Sequence, residues 1–151
     1  MAASTFTYTA NMAEPARACH TGVQSINFAF NSGASKFGTL SDVVLLGKVP
    51  NGCVVTGGHI DGTSGAAAIH CMLLAVNSQD LTKSGGTIYG SLTISATQQR
   101  FSIYGPIKIS LSADATTSEA VLYLNCTTGA SGTVSTSING VIYYVADGRD
   151  L

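Results

Sequence analysis

SDVVLLGKVPNGCVVTGGHIDG, residues 41–62, sets an apolar run, Val43 to Leu46, beside a lone lysine, Lys48. A Pro50-Asn51-Gly52 turn follows, and then a second apolar run that ends in glycines around His59. Glycines in this density either cradle a ligand or mark the corners of a folded sheet, because glycine takes positive φ at no steric cost. The flanking runs favour corners. DVVLLGKV and CVVTGGHI are expected to pair as a hairpin across Pro50-Asn51-Gly52, and Gly57-Gly58 and Gly62-Thr63-Ser64-Gly65 to sit at a strand end and its loop.

The same punctuation continues outward on both sides. In SINFAF, Ile26, Phe28 and Phe30 share one face. AAAIHCMLLA, TIYGSLTIS, QQRFSIYG, PIKISLS, AVLYLN and SINGVIYYVA follow, separated by Gly, Pro, Asn, Asp and Ser, and helical periodicity is nearly absent. In PIKISLS the alternation puts Ile107, Ile109 and Leu111 inside and Lys108, Ser110 and Ser112 outside. About eight short strands in 151 residues predict an all-β chain, best matched by a jelly-roll-like β-sandwich, with another β-sandwich or a closed barrel as the alternatives that periodicity does not separate. Residues 25–151 form the sandwich in this reading, and residues 1–24 form an N-terminal arm. There TFTYTAN alternates Phe6 and Tyr8 before the irregular AEPARACHTG, a pattern expected to pair with a sheet edge or a neighbouring subunit.

Composition narrows the function classes. Charged residues are 10% of the chain and the formal net charge is -1, so electrostatic repulsion between copies is weak and life inside an assembly is expected. The seven Lys and Arg residues are scattered, without the basic stripe that nucleic-acid binding needs. No apolar run approaches the roughly 20 residues of a membrane helix, and the N-terminus lacks the basic start and apolar core of a secretory signal, so cytosolic synthesis is expected. Cys19, Cys53, Cys71 and Cys126 show no CxxC spacing and read first as buried thiols; a disulfide, with three possible connectivities, and a Cys/His metal site are the alternatives.

The most enzyme-like stretch is GGHIDGTSG. In a strand His59 and Asp61 project to one side, and His70 from a neighbour would complete a polar cluster. Ser64 stands in GTSGA, not in GxSxG, and no phosphate-binding glycine loop is present. The carboxylates are too dispersed for a glycosidase pair. Trp is absent, which removes the usual stacking platform for glycans. No catalytic residue, cofactor or metal is assigned.

PARACHTGV, SINFAF, SDVVLLGKVPNGCVVTGGHIDG, GPIKISLSADATTSEAVLYLN and GVIYYVAD, in this order from about Pro15 to Asp147, resemble the capsid decoration, or cement, proteins of tailed bacteriophages. The firmest element is DVVLLGKVPNG. The resemblance implies a non-enzymatic jelly-roll-like virion protein, made in the host bacterial cytoplasm, that binds the outside of a head shell. Its partners would be the major capsid protein and further copies of itself, as a homotrimer, without nucleic acid or membrane. Contact with the shell or a neighbouring subunit is expected through Phe6, Tyr8, Arg17 and His20. A head-fibre base, tail or adaptor subunit, or a glycan-binding tip, is the alternative.

Overall fold

The computed structural model describes residues 5–7, 23–31, 41–64, 68–111, 119–128 and 136–145. These form nine strands: β1 (Thr5–Thr7), β2 (Gln24–Asn31), β3 (Val43–Pro50), β4 (Val54–Ser64), β5 (Ile69–Asn77), β6 (Ser84–Ile94), β7 (Gln99–Lys108), β8 (Glu119–Thr128) and β9 (Thr136–Val145). One sheet has the order β1-β3-β8-β5-β6 and the other β2-β9-β4-β7. Apart from β1, which runs parallel to β3, every pairing is antiparallel. The eight strands β2–β9 therefore interleave as two Greek keys, which is jelly-roll topology.

Alternation drives the layering. In β2 the side chains of Ile26, Phe28 and Phe30 are buried while Ser25, Asn27, Ala29 and Asn31 are exposed. They meet Val44, Leu46 and Val49 from β3, Leu73 and Ala75 from β5, Leu122 and Leu124 from β8 and Ile138 and Ile142 from β9 in one core between the sheets. At the open side, Tyr89 on β6 meets Phe101 on β7 edge to face, with ring centroids 5.9 Å apart. That aromatic pair closes the seam where the edge strands of the two sheets face each other.

The expected hairpin across Pro50-Asn51-Gly52 does not form: β3 lies in the five-stranded sheet and β4 in the four-stranded one. The turn is a corner between sheets. Gly52 takes φ 87° there, its N–H donates to the Ile109 carbonyl at 2.8 Å, and Ile109 N–H returns to Cys53 O at 2.9 Å. The Asn51 side chain accepts from Leu111 N–H at 2.9 Å. Asn51 and Gly52 are thus used to dock the tail of β7 on the corner, not to reverse a hairpin. QQRFSIYG and PIKISLS likewise do not make two strands. β7 runs through the cis Gly105–Pro106 bond to Lys108, and the proline is accommodated because β7 is an edge strand. Burial in the segment follows the expected alternation, with Ile109 and Leu111 inside and Lys108 and Ser110 outside.

Glycines 57, 58 and 62 are not at a strand end. They lie inside β4, paired on both sides to β7 and β9. The register shifts between Val55 and Gly57, and a bulge followed by close strand contact is the other reason for glycine in a strand. Gly58 has φ 144°, and a Cβ on it would overlap the Val141 carbonyl oxygen. Of the glycines in the 41–62 stretch, Gly52 alone turns a corner, and Gly58 admits a neighbouring backbone.

Candidate functional site

His59 and Asp61 do share one side of β4, with Nε2 and Oδ2 4.0 Å apart. Both Asp61 oxygens are taken by Arg100 on β7, which donates from Nε at 2.8 Å and from a terminal nitrogen at 2.9 Å. This fork holds the Asp61 carboxyl below its ordinary range, chiefly through the Arg100 hydrogen bonds, with burial opposing and the charges of Arg100 and His59 assisting. A carboxylate bonded in this way does not orient His59, whose separation from it exceeds hydrogen-bond reach. His70 does not join them: it lies on β5 in the other sheet, with Nδ1 3.0 Å from Thr93 Oγ1. The three residues form no catalytic cluster. Among the described residues no group of three His, Cys, Asp or Glu is placed to hold a metal, and no helix is long and apolar enough to cross a membrane.

Lys48, isolated in the sequence, reaches Glu119 on β8 at 3.7 Å across the outer side of the five-stranded sheet. Its surroundings are apolar. Leu45 on β3, Tyr123 on β8 and Leu74 on β5 stand in one cross-strand row, all half-buried and none packed on the core between the sheets. In the next row Val121 and Val76 are neighbours, 1% and 2% exposed, and also outside that core. Burial pushes the Tyr123 hydroxyl above its ordinary pKa, as expected for a phenol on apolar surface. The five-stranded sheet is thus apolar on both faces.

The outer face of the four-stranded sheet is polar. One row reads Asn27, Val141, His59, Ser102 and the next Ala29, Asn139, Asp61, Arg100. At one end Tyr143 and Tyr104 flank Gly57, exposed by 41% and 82%.

Sequence reasoning missed the outward apolar row. Its signal was present: VVLL, MLLAV and VLYL are continuous apolar runs, which mark strands covered on both faces, whereas SINFAF alternates. Of the residues expected to make contacts, Phe6 has its backbone in β1 opposite Val44. The Phe6 side chain, and Tyr8, Arg17 and His20 altogether, lie outside the described residues, as does Cys19. Cys53, Cys71 and Cys126 are buried and form no disulfide, in line with the first reading of the cysteines.

No family model and no curated protein matches the sequence. Solved structures do match the fold. A chain in the capsid of Ralstonia phage GP4 is 15% identical, with 95% of this chain and 99% of that chain covered at a TM-score of 0.68. A chain of the cyanophage Pam1 capsid asymmetric unit is 14% identical, with 92% and 95% covered at 0.54. A chain of the infectious bursal disease virus Gt strain is 11% identical, and this chain spans 34% of it at 0.54. At such identities the likeness is one of fold: a jelly roll also found in viral capsids.

Proposed function

We propose that this protein is a non-enzymatic virion structural protein that decorates the outer surface of a bacteriophage head and stabilises contacts between capsomers. The observation that carries the reading is the jelly-roll strand order, β1-β3-β8-β5-β6 over β2-β9-β4-β7, in a fold shared with chains of two phage capsids. Leu45, Tyr123 and Leu74, half-buried on the outer side of the five-stranded sheet, leave a modest apolar surface that a neighbour would cover. The likeness to chains of two phage capsids over nearly their whole length supports a virion as the setting. The partners in this reading are the major capsid protein and further copies of the chain in a homotrimer. Phe6, Tyr8, Arg17 and His20 of the arm add to the contact.

Apolar burial contributes about 25 cal/mol per Å², much of it offset by the costs of association. Repetition on a lattice makes up for modest single contacts. The test is a particle reconstruction. Density for this chain at every equivalent lattice position outside the shell, with residues 1–20 and the five-stranded sheet against neighbours, is the expected result. Density confined to a vertex or tail would favour the fibre-base or adaptor role, and absence from purified particles would remove the virion reading altogether.

A further inference from the structure

Cys71 on β5 and Cys126 on β8 are direct cross-strand partners in the five-stranded sheet. Both point into the core, 1% and 0% exposed, and their sulfurs are in hydrogen-bond contact. Directly opposed residues of antiparallel strands have Cα atoms about 4.5 or 5.5 Å apart, and both spacings fall within the roughly 4.4 to 6.8 Å that a disulfide spans. Cys53 sits elsewhere, in the corner between β3 and β4. We propose that Cys71 and Cys126 are a disulfide-forming pair, held as two thiols in reduced protein and closed as a staple between β5 and β8 when the chain folds in the presence of a small-molecule disulfide.

The chemistry is two thiol–disulfide exchanges. The thiolate of one cysteine attacks the small disulfide, forming a mixed disulfide and releasing one small thiol. The second cysteine then attacks the protein-bound sulfur, the Cys71–Cys126 bond forms, and a second small thiol leaves. The oxidant's S–S bond is reduced, and its two halves carry off the two thiol protons. Neither strand is a sheet edge, so the finished core screens both sulfurs. The hydrogen bond between them and then burial push the Cys71 thiol well above its ordinary pKa, which starves the folded protein of the reactive thiolate. The staple therefore closes during folding, and once closed is shielded from reductant.

The experiment is to refold the full chain from guanidinium with a mixture of oxidised and reduced glutathione, then digest it with a protease that cuts before aspartate. Asp42, Asp61, Asp80, Asp114 and Asp147 place the four cysteines on four separate peptides. The expected product is the peptide starting at Asp61 linked to the peptide starting at Asp114. The oxidised protein should resist dithiothreitol until denaturant is added, and its Tm should exceed that of the reduced protein by roughly 10 °C. C71A and C126A should lose the linked peptide and the Tm rise, and C53A should keep both. Recovery of Cys71 and Cys126 as thiols, linkage of either to Cys19, Cys53 or glutathione, or a Tm no higher after oxidation would overturn the proposal. The peptide map uses the unsubstituted protein, so it decides the matter even where a core variant does not fold.

Discussion

The four-stranded sheet turns Asn27, Asn139, His59 and Ser102 outward, while the five-stranded sheet turns Leu45, Tyr123, Leu74 and Val121 outward. Their inner faces are alike, a shared layer of Ile, Leu, Val and Phe. The outer faces differ, and on the five-stranded sheet the chain itself already covers Val76 and Val121 and half-buries Leu45, Leu74 and Tyr123. The polar face is suited to water except at Tyr104 and Tyr143, and the apolar face offers the half-buried Leu45, Leu74 and Tyr123 to a partner.

This contrast fails at once if either sheet is not a rigid platform. In the four-stranded sheet, G58A puts a Cβ onto the Val141 carbonyl at a positive φ. It should cost about 3 kcal/mol and lower the Tm by roughly 10 °C. G90A, at an exposed position with nothing within 4 Å of the added carbon, should change the Tm by no more than about 2 °C. Thermal unfolding followed by circular dichroism reads both. Equal effects would mean that β4 and β9 are not packed as described.

A finer test sets one face against the other. L74K places a charge in the apolar row, where its stem can lie along neighbouring side chains. Self-association or particle binding should fall at least about tenfold, the loss of roughly 1.4 kcal/mol, while the fold survives. N27K on the polar face should leave association unchanged. Sedimentation equilibrium, together with occupancy on particles, measures the pair, and a greater loss in N27K would reverse the assignment of faces.

The smallest effect belongs to the ion pair on the polar face. D61N removes a carboxylate bonded to the exposed Arg100, and the Tm at pH 7 should move by no more than about 2 °C. Because the folded pKa of Asp61 is depressed, its contribution is present above the unfolded value of about 3.9 and is lost as pH falls through the folded value. The difference between wild type and D61N should therefore shrink below pH 4. A difference that grows on acidification would contradict the Arg100 pairing.

The layered β architecture was legible because Ile26, Phe28 and Phe30 alternate cleanly and β2, β3 and β5 end at Asn31, Pro50 and Asn77. The hairpin at Pro50-Asn51-Gly52 was misread because the same turn chemistry serves a hairpin and a corner between sheets. Only the long-range bonds from Ile109 and Leu111 distinguish them. Gly57 and Gly58 were misread for a related reason: a glycine required by a neighbouring backbone looks the same in sequence as one required by a turn. Of the candidate cluster, the side shared by His59 and Asp61 followed from strand period, but the capture of Asp61 by Arg100 and the removal of His70 to the other sheet depend on topology. The apolar outer row was visible in VVLL and VLYL, yet a continuous apolar run does not say which of its residues face outward.

The strand order also has a kinetic side. Among the described strands only β5 and β6 are both consecutive and paired; every other step from one strand to the next passes to the opposite sheet. Loop-closure entropy is thus spent before most pairings form, which places such domains among slow folders, in milliseconds to seconds. During synthesis, at about 5 to 20 residues per second, the β5–β6 ribbon is the first antiparallel pairing available. Strand β2 must wait, unpaired at its edge, until residues 136–145 have been made, because its one partner among the described strands is β9. A nascent chain therefore carries Ile26, Phe28 and Phe30 without their native neighbour through most of its translation, and its exposure to misassociation ends only when β9 slots between β2 and β4.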